Sequence, residues 1–257
     1  MSKQKYNEVN PELVNSVVCA IDILGFSQMI LESCQYGYGN KLLKEINYLI
    51  NKNKQCIIPN KYSQGKIKIF TDNMVVAYPI NHDGQEELDE ILDNVAEYQF
   101  NLAVEGLFVR GGLSMGDFYI NEDIVFGPAL LDAHHVESQV ACYPRIVLDA
   151  QTVEMLKGFT KDDEIDLQNS KVLVDSDGQW FLNYLNTIFK YYKECYTAYE
   201  FEKVKYALLM RHKAKVEAAL ETNKGNTRVW DKYVWIADYH NYFCELHYPG
   251  EQELHID

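Results

Sequence analysis

The 257-residue chain lacks several features that mark large classes of protein. It contains no run of about 18 uncharged apolar residues, and no apolar signal-peptide core follows its first methionine. Its six cysteines are scattered and form no C-x-x-C pair, so neither a zinc site nor a disulfide framework is indicated. We therefore expect a cytoplasmic protein with reduced thiols and no membrane contact.

Basic residues are also scarce. The chain has 24 lysines and arginines against 38 aspartates and glutamates, which gives a net charge of −14 and a pI near 4.9. This balance argues against a protein that holds nucleic acid through a broad basic face. Acidic proteins commonly handle phosphate compounds by fixing metal ions with carboxylates, and the ions then neutralise the phosphate charge.

The carboxylate that first suggests such a site is Asp22. It lies within the stretch V-C-A-I-D-I-L-G-F-S, residues 18–27, which is otherwise typical of a buried strand. A buried ionised carboxylate is unfavourable unless a cation or several donors meet it. We therefore expect a positive partner beside Asp22.

Hydrophobic spacing and turn residues predict the order of the elements. We predict a strand at 17–22, a helix at 27–53 broken near 37–39, a hairpin at 66–78, a helix at 85–105, a strand at 108–115, a helix at 127–140, a strand at 146–148, and long helices at 187–222 and 228–247. This order predicts an α+β protein built on a ferredoxin-like β-α-β-β-α-β unit, with its helices on one face of an antiparallel-rich sheet.

The C-terminal segment differs in character from the rest of the chain. It is helical and rich in tyrosine, and no low-complexity linker precedes it. We therefore divide the chain into a core at 1–185 and a helical extension at 186–257 that packs on the core. We expect the tyrosines to form core or dimer contacts rather than a platform for nucleobases.

Two aspartates are brought together by this topology. The end of the first strand and the turn of the hairpin fall on the same sheet edge, which places Asp22 beside Asp72. Alone, each has an ordinary structural interpretation, as a capping or satisfied buried acid and as a turn residue. Together they predict a two-metal site that clamps a triphosphate, with the carbonyl of Ile23 as a third ligand. Gly25 then lets the chain turn without a side chain near the phosphates.

Three sequence blocks carry a family resemblance. A-I-D-I-L-G-F-S around Asp22 resembles the first metal motif of class III nucleotidyl cyclases, and K-I-K-I-F-T-D-N-M-V-V-A-Y around Asp72 resembles the second. F-V-R-G-G-L-S-M-G-D, residues 108–117, is similar to the arginine-glycine strand that follows in these enzymes. The resemblance covers about residues 15–150 and implies a class III cyclase core.

This resemblance also implies a reaction and its requirements. The 3′-hydroxyl of a nucleoside triphosphate attacks its own α-phosphate, which gives a 3′,5′-cyclic nucleotide and pyrophosphate. Two Mg²⁺ or Mn²⁺ ions are held by Asp22, Ile23 and Asp72. The enzyme is a homodimer whose active sites lie at the interface.

The base-reading positions depart from those of the purine cyclases in this family. Lys68 matches the base-reading lysine, but Ile124 stands where the partner acid is expected. Leu131 replaces the asparagine, and His135 replaces the arginine of the following helix. This altered block and the later D-S-D-G-Q-W-F-L-N-Y-L are similar to the bacterial pyrimidine cyclases of the Pycsar antiphage system. That likeness implies cyclic UMP or cyclic CMP, which activates a separate effector protein.

The candidate residues keep alternative interpretations. Arg110 is either a salt-bridge residue near the phosphates or a ligand for them, and Lys68 either reads the base or belongs to a solvent-facing strand. Only one of the two adjacent histidines can face a site, and His135 has the matching position. The predicted catalytic residues are Asp22, Asp72 and His135, and the predicted substrate-binding residues are Gly25, Phe26, Lys68, Phe70, Thr71 and Arg110.

Four positions favour a pyrimidine, with uracil ahead of cytosine. Phe70 and Thr71 are bulkier than the residues often found there in purine cyclases, which shortens the base pocket to one ring. Ile124 cannot accept a hydrogen bond from an exocyclic amine, whereas Lys68 can donate to a carbonyl oxygen. The alternatives are a purine cyclase with an unusual pocket and an inactive cyclase-like domain that binds nucleotide or a partner for regulation.

Overall fold

The computed structural model describes residues 4–57, 64–159, 170–190 and 197–257. The strands are β1 (Val14–Ile23), β2 (Lys66–Phe70), β3 (Asn73–Pro79), β4 (Val109–Ile120), β5 (Val125–Phe126), β6 (Ile146–Leu148), β7 (Val172–Val174) and β8 (Trp180–Leu182). The α-helices are α1 (Phe26–Gln35), α2 (Gly39–Ile57), α3 (Gln85–Ala103), α4 (Pro128–His135), α5 (Ala150–Phe159), α6 (Ala198–Asn223) and α7 (Thr227–His247). A π-helical turn at Val136–Val140 continues α4, and short 3₁₀ helices occupy Tyr184–Phe189 and Gln252–Leu254.

One mixed sheet organises the described residues. Its strand order is β2-β3-β1-β4-β6-β8-β7, and β5 pairs with β4 outside this path. β1 lies antiparallel between β3 and β4, and β2 forms a hairpin with β3. With α1, α2 and α3 in the connections, these four strands form the predicted ferredoxin-like unit, so the α+β prediction is confirmed. β6 then adds to β4 in parallel.

The predicted helix at 27–53 is interrupted where the sequence indicates. α1 ends before Gly37, which adopts a left-handed φ of +79°. The amide of Tyr38 donates to the carbonyl of Ser33 at 2.6 Å and closes the helix end. The chain then starts α2 in a new direction. No described helix is both long enough and apolar enough to cross a bilayer.

Both faces of the sheet are covered, so the prediction of helices on one face is wrong. Along β1, Val17 joins the core under α2 and α3, whereas its neighbour Val18 joins a second cluster that includes α4. The close approach of α4 depends on Gly112 in β4, because a Cβ there would lie 2.2 Å from the carbonyl oxygen of Ala133. A strand position without a side chain therefore admits a helix on this face.

The C-terminal helices share a third core with the far end of the sheet. Val147 of β6 and Phe181 of β8 pack there together with Ile236 and Phe243 of α7. Three tyrosines of the predicted stripe contribute to this core or pack against it, namely Tyr206, Tyr233 and Tyr239. The helix predicted from residue 187 begins at Ala198 as α6, and residues 191–196 lie outside the described residues.

Arg145 ties α7 to the sheet from a fully buried position. Its guanidinium pairs with the carboxylates of Asp175 and Asp177 in the β7–β8 turn. Trp235 of α7 donates its indole N–H to Asp175 at 2.7 Å and stacks on Tyr143 with ring centroids 5.7 Å apart. A buried guanidinium is tolerated there because two carboxylates balance its charge and aromatic rings surround it.

A buried chain of polar groups runs through the C-terminal helices. The hydroxyl of Tyr184 lies 3.0 Å from Nε2 of His212, and Nδ1 of His212 lies 3.0 Å from Nδ1 of His240. Nε2 of His240 lies 2.9 Å from the carbonyl oxygen of Leu254. All three contacts are satisfied when both imidazoles are neutral, with Tyr184 donating to His212, His212 to His240, and His240 to the carbonyl. Burial lowers the pKa of His212 well below its ordinary value and lowers the pKa of His240 to about 4.

We expect these two histidines to make the fold less stable between pH 7 and pH 5. Their pKa values are lower in the folded chain than in the unfolded chain, so the unfolded chain binds more protons once the pH falls through about 6.5. For His240 the lost free energy of unfolding at pH 5 is about 2 kcal/mol. Urea unfolding at both pH values measures the loss.

The comparison between variants isolates this effect from the other titrating groups. His240→Gln should reduce the loss by about 2 kcal/mol, because glutamine stays neutral at both pH values. His82→Asn, at an exposed turn position with φ +52°, should leave the loss unchanged. Equal losses in the wild type and His240→Gln would contradict the prediction.

Candidate functional site

Asp22 lies at the end of β1, beside the start of β4. Asp22 and Arg110 are cross-strand partners, and the Nε–H of Arg110 donates to Oδ2 of Asp22 at 3.3 Å. The same nitrogen lies 2.8 Å from Oε1 of Glu137, without the alignment of a hydrogen bond. Glu137 is buried, and its other oxygen lies 3.9 Å from Nδ1 of His134. The positive partner expected beside Asp22 is therefore Arg110, which two carboxylates share.

Glu137 lies near the start of the π-helical turn that follows α4. The amide of Ala141 donates to the carbonyl of Val136 at 2.8 Å, which is the five-residue spacing of a π-helix. Such turns shift the register of the side chains that follow and are frequent at functional sites.

Asp72 lies in the β2–β3 turn, where the sequence predicts it. Its Oδ1 accepts hydrogen bonds from the hydroxyl of Thr71 at 2.6 Å and from the side-chain amide of Asn73 at 3.3 Å. Thr71 has a φ of +53°, a conformation that β-branched residues rarely adopt. Such backbone strain is often found at functional sites.

The pKa of Asp22 reports the electrostatics of the cluster. Burial raises this pKa, the charge of Arg110 opposes the rise, and the charges of Glu137 and Asp72 add to it. Asp72 is therefore close enough to influence Asp22, as the topology predicts. Two carboxylates, those of Asp22 and Glu137, share the Arg110 guanidinium, and the charge of Asp72 acts on Asp22 as well. This excess of negative charge favours the binding of a cation.

The chain between β1 and α1 makes the predicted tight turn. Ile23 is the buried last residue of β1, and the next amide, of Leu24, donates to the carbonyl of Phe108 at 2.8 Å. Gly25 adopts a φ of +74°, and a Cβ there would meet no heavy atom within 4 Å. The ring of Phe26 packs into the core, so its amide is the group that can face a phosphate. The first amides of α1 carry the partial positive charge that suits an anion.

The structure gathers the base-reading positions in a second cluster. Nζ of Lys68 lies 3.5 Å from the carbonyl oxygen of Asn121 and 5.4 Å from the ring centre of Phe70. Asn121 forms a tight turn with Ile124, in which each amide donates to an oxygen of the other residue. Lys68 and Asn121 also line a surface cavity of about 410 Å³. Lys68 thus lies beside the turn that holds Ile124.

Within the described part of their own chain, neither His135 nor Leu131 forms a hydrogen bond, ion pair or ring contact with the Asp22 cluster. Leu131 is 70% exposed, and His135 is exposed as well. Within the described residues His135 makes no hydrogen bond, ion pair or ring contact. Its neighbour His134 is the histidine that approaches Glu137. A role for His135 within one chain therefore has no support in these contacts, and its catalytic role stays a prediction.

One basic residue of α7, Lys232, also lies near the cluster, and the sequence motifs did not predict it. The pKa of Lys232 is lowered by burial, then by the charges of Arg110 and Arg228, while the charge of Asp22 opposes this change. Lys232 lies far from Asp22 in sequence and in no recognised motif. Only the packing of α7 against the sheet brings it near.

The acidic cluster suits divalent ions that are coordinated partly by the protein and partly by a substrate. In the described part of the chain, no group of three or more acidic, histidine or cysteine side chains is arranged to hold a metal by itself. Mg²⁺ is usually held by one or two carboxylates together with substrate phosphates and water. Asp22 and Asp72 supply such a pair, and the repulsion of Asp22 by the charge of Asp72 favours a cation nearby. The residues present therefore fit the predicted ions.

Comparison with known proteins gives structural likeness only. No protein-family model and no curated protein matches the chain. An adenylate/guanylate cyclase/hydrolase from Silicibacter pomeroyi is similar at 17% identity and a TM-score of 0.39, over 66% of this chain and 95% of that one. A class III adenylyl cyclase-like ATP-binding protein from Pseudomonas aeruginosa is similar at 12% identity and a TM-score of 0.43, over 56% of this chain and 35% of that one.

Proposed function

We propose that the protein is a class III nucleotidyl cyclase that converts a pyrimidine nucleoside triphosphate to a 3′,5′-cyclic nucleotide and pyrophosphate. The observation that carries the proposal is that Asp22 pairs with Arg110 and lies near enough to Asp72 for the charge of Asp72 to raise the pKa of Asp22, although the two aspartates are fifty residues apart in sequence. Each aspartate belongs to a block that resembles a metal motif of this family. The likeness to the Pycsar cyclases supports a messenger role in antiphage defence.

The residues of the cluster have distinct roles in the proposed reaction. Bound Mg²⁺ or Mn²⁺ lowers the pKa of the ribose 3′-hydroxyl and neutralises phosphate charge. Asp22 and Asp72 hold the ions through their carboxylates, and Ile23 offers its carbonyl. Arg110 orients Asp22 and favours its ionised form, because its positive charge opposes the rise in pKa that burial causes. The first amides of α1 bind phosphate oxygens.

The proposed active form is a homodimer in which each site uses both chains. In class III homodimers the metal aspartates of one chain meet the base-reading lysine and helix residues of the other. Several large apolar side chains near the predicted base-reading lysine and on or near α4 are exposed, namely Phe70, Ile124, Phe126 and Leu131. A second copy would bury such a surface favourably. Exposure of His135 on the same helix as Leu131 agrees with a role in the site of the partner.

The cluster around Lys68 and Ile124 favours uracil as the base, with cytosine as the second possibility. Lys68 donates only and suits the carbonyl oxygens of uracil, and Ile124 offers no acceptor from its side chain. The carbonyl oxygen of Asn121, at 3.5 Å from Lys68, is an acceptor that the exocyclic amine of cytosine could use. Pairing of that amine is worth about 1 to 3 kcal/mol. A hydrogen bond to Asn121 would therefore offset the expected preference of the site for uracil over cytosine.

Competition among the four ribonucleoside triphosphates tests the proposed function. With equal concentrations of labelled UTP, CTP, ATP and GTP and with Mn²⁺ present, we expect cyclic UMP as the main product and cyclic CMP as the next. Chromatography of the products measures both. Dominant cyclic AMP or cyclic GMP would favour the purine cyclase alternative, and dominant cyclic CMP would overturn only the roles given to Lys68 and Ile124.

A catalytically inactive, nucleotide-binding domain is the alternative from another class. The exposed His135 and Leu131 favour it, because the usual asparagine and arginine are missing from α4. It predicts that nucleotide binds in the presence of Ca²⁺ or Mn²⁺ while no cyclic product forms from any of the four triphosphates. Calorimetry on the same protein sample provides the binding measurement.

A further inference from the structure

The first turns of α7 lie near the end of the sheet at which β1 ends and Asp22 is located. Tyr233 packs edge-on against Phe108, with ring centroids 5.6 Å apart. The carbonyl of Phe108 accepts the hydrogen bond from Leu24, two residues after Asp22. This contact brings a helix of the C-terminal segment next to the turn between β1 and α1.

Two neighbouring basic side chains of this helix have no acidic partners of their own among the described residues, and one of them, Lys232, lies near Arg110 and Asp22. Lys232 adjoins Tyr233, and Arg228 lies one helical turn earlier on the same face. Within the described ranges neither forms an ion pair or a hydrogen bond. Arg110, the third cation, is already matched by two carboxylates. The unmatched positive charge at this edge therefore comes from α7.

The position of Lys232 is unfavourable for a lysine without an anion. Its side chain is only partly exposed, and its pKa is lowered by burial first and then by the charges of Arg110 and Arg228. A chain with a net charge of −14 has many carboxylates that could pair with it, yet none lies within ion-pair distance in the described residues. An anionic ligand at this place would relieve the repulsion among the three cations.

We propose that Lys232 and Arg228 bind the terminal phosphates of the nucleotide, so that the C-terminal helix supplies the cationic side of the active site. The proposal deepens the proposed function and rests on it for the identity of the anion. Asp22 and Asp72 hold the ions on one side of the polyphosphate, and α7 holds its β- and γ-phosphates from the other. Pyrophosphate, the leaving product, is bound by the same two residues.

Binding of inorganic tripolyphosphate tests this assignment without catalysis. Calorimetry in the presence of Mg²⁺ compares the wild-type chain with Lys232→Met, Lys232→Arg and Arg228→Met. We expect about a tenfold weaker Kd for Lys232→Met, because a charge-assisted contact is lost. Lys232→Arg should keep most of the affinity, and Arg228→Met should lose about threefold, because Arg228 is exposed.

The matched control is Lys203→Met, which removes the same charge from an exposed position on α6. Its Kd should equal that of the wild type, which separates a local contact from the effect of net charge. Thermal unfolding should show no loss of stability in Lys232→Met, because the variant relieves a repelled, partly buried charge. With nucleoside triphosphate as substrate, Lys232→Met should raise KM about tenfold and change kcat little, as expected for uniform binding.

The outcomes distinguish this inference from the proposed function. If Lys232→Met and Lys203→Met bind tripolyphosphate as tightly as the wild type, or if the wild type does not bind it, α7 is not the phosphate ligand. If the wild type forms cyclic nucleotide while Lys232→Met leaves both Kd and KM unchanged, the proposed function stands and this inference fails. If tripolyphosphate binding depends on Lys232 and no triphosphate is cyclised, the anion site stands and the cyclase assignment fails.

Discussion

Replacing Asp22 by asparagine is expected to lower the rate of cyclisation at least about a thousandfold, or about 4 kcal/mol in activation free energy, while the fold stays intact. Asparagine keeps the size of the side chain and removes the charge that holds a divalent ion. Burial already disfavours the ionised form of Asp22, so the amide relieves part of that penalty. Arg110 keeps Glu137 as a partner at 2.8 Å. Product formation and thermal unfolding, measured on the same protein, separate the two effects.

The same strand offers a control for this substitution. Asp117 is exposed on β4, seven residues from Arg110, which places it about 23 Å away. Asp117→Asn should cyclise at the wild-type rate, and Asp72→Asn should match the loss seen for Asp22→Asn. Near-normal turnover by either Asp22→Asn or Asp72→Asn would remove the basis for the two-metal assignment.

Mixing two inactive variants is expected to restore about a quarter of the wild-type activity, if each site uses both chains. Asp22→Asn disables the metal side of a site, and Lys68→Met disables the base side. Random exchange makes half of the dimers mixed, and each mixed dimer has one intact site out of two. Activity measured as a function of the mixing ratio should peak at equal amounts.

A second pair of variants provides the control for this experiment. Asp22→Asn mixed with Asp72→Asn should recover no activity, because both substitutions disable the metal side and every mixed dimer lacks an intact site. Exchange itself is checked by capture of an untagged variant on a tagged one. Exchange without recovery in the Asp22→Asn and Lys68→Met mixture would exclude the shared site.

The strands and the turn chemistry were predictable from local sequence. Alternation of polar and apolar residues in Lys66–Phe70, followed by the turn at Thr71 and Asp72, indicates a hairpin because side chains along a strand alternate between its two faces. Gly37 marks the helix break because it can adopt a positive φ. From these elements, the ferredoxin-like order follows, and it places Asp22 near Asp72.

The rest of the site depends on contacts between distant segments. The helix on the second face of the sheet could not be predicted, because its close approach depends on the absence of a side chain at Gly112. No rule of residue spacing reveals that Gly112 faces α4. Glu137 reaches Arg110 from the start of the π-helical turn after α4, a contact between distant segments that no sequence motif predicts. Lys232 arrives through tertiary packing of α7. The division of the chain at residue 185 and the role of His135 stay predictions.

The burial of Arg145 has a consequence for the cooperativity of the molecule. Its guanidinium is neutralised from the β7–β8 turn, and Trp235 of α7 shares one of the two neutralising carboxylates. If α7 detached, this site would lose its aromatic cover, and water would reach an ion pair that the helix now shields. Local opening of α7 is therefore costly, so the helix and the far end of the sheet should unfold as one cooperative unit. The helix that carries Lys232 is in this way fixed to the sheet that carries Asp22.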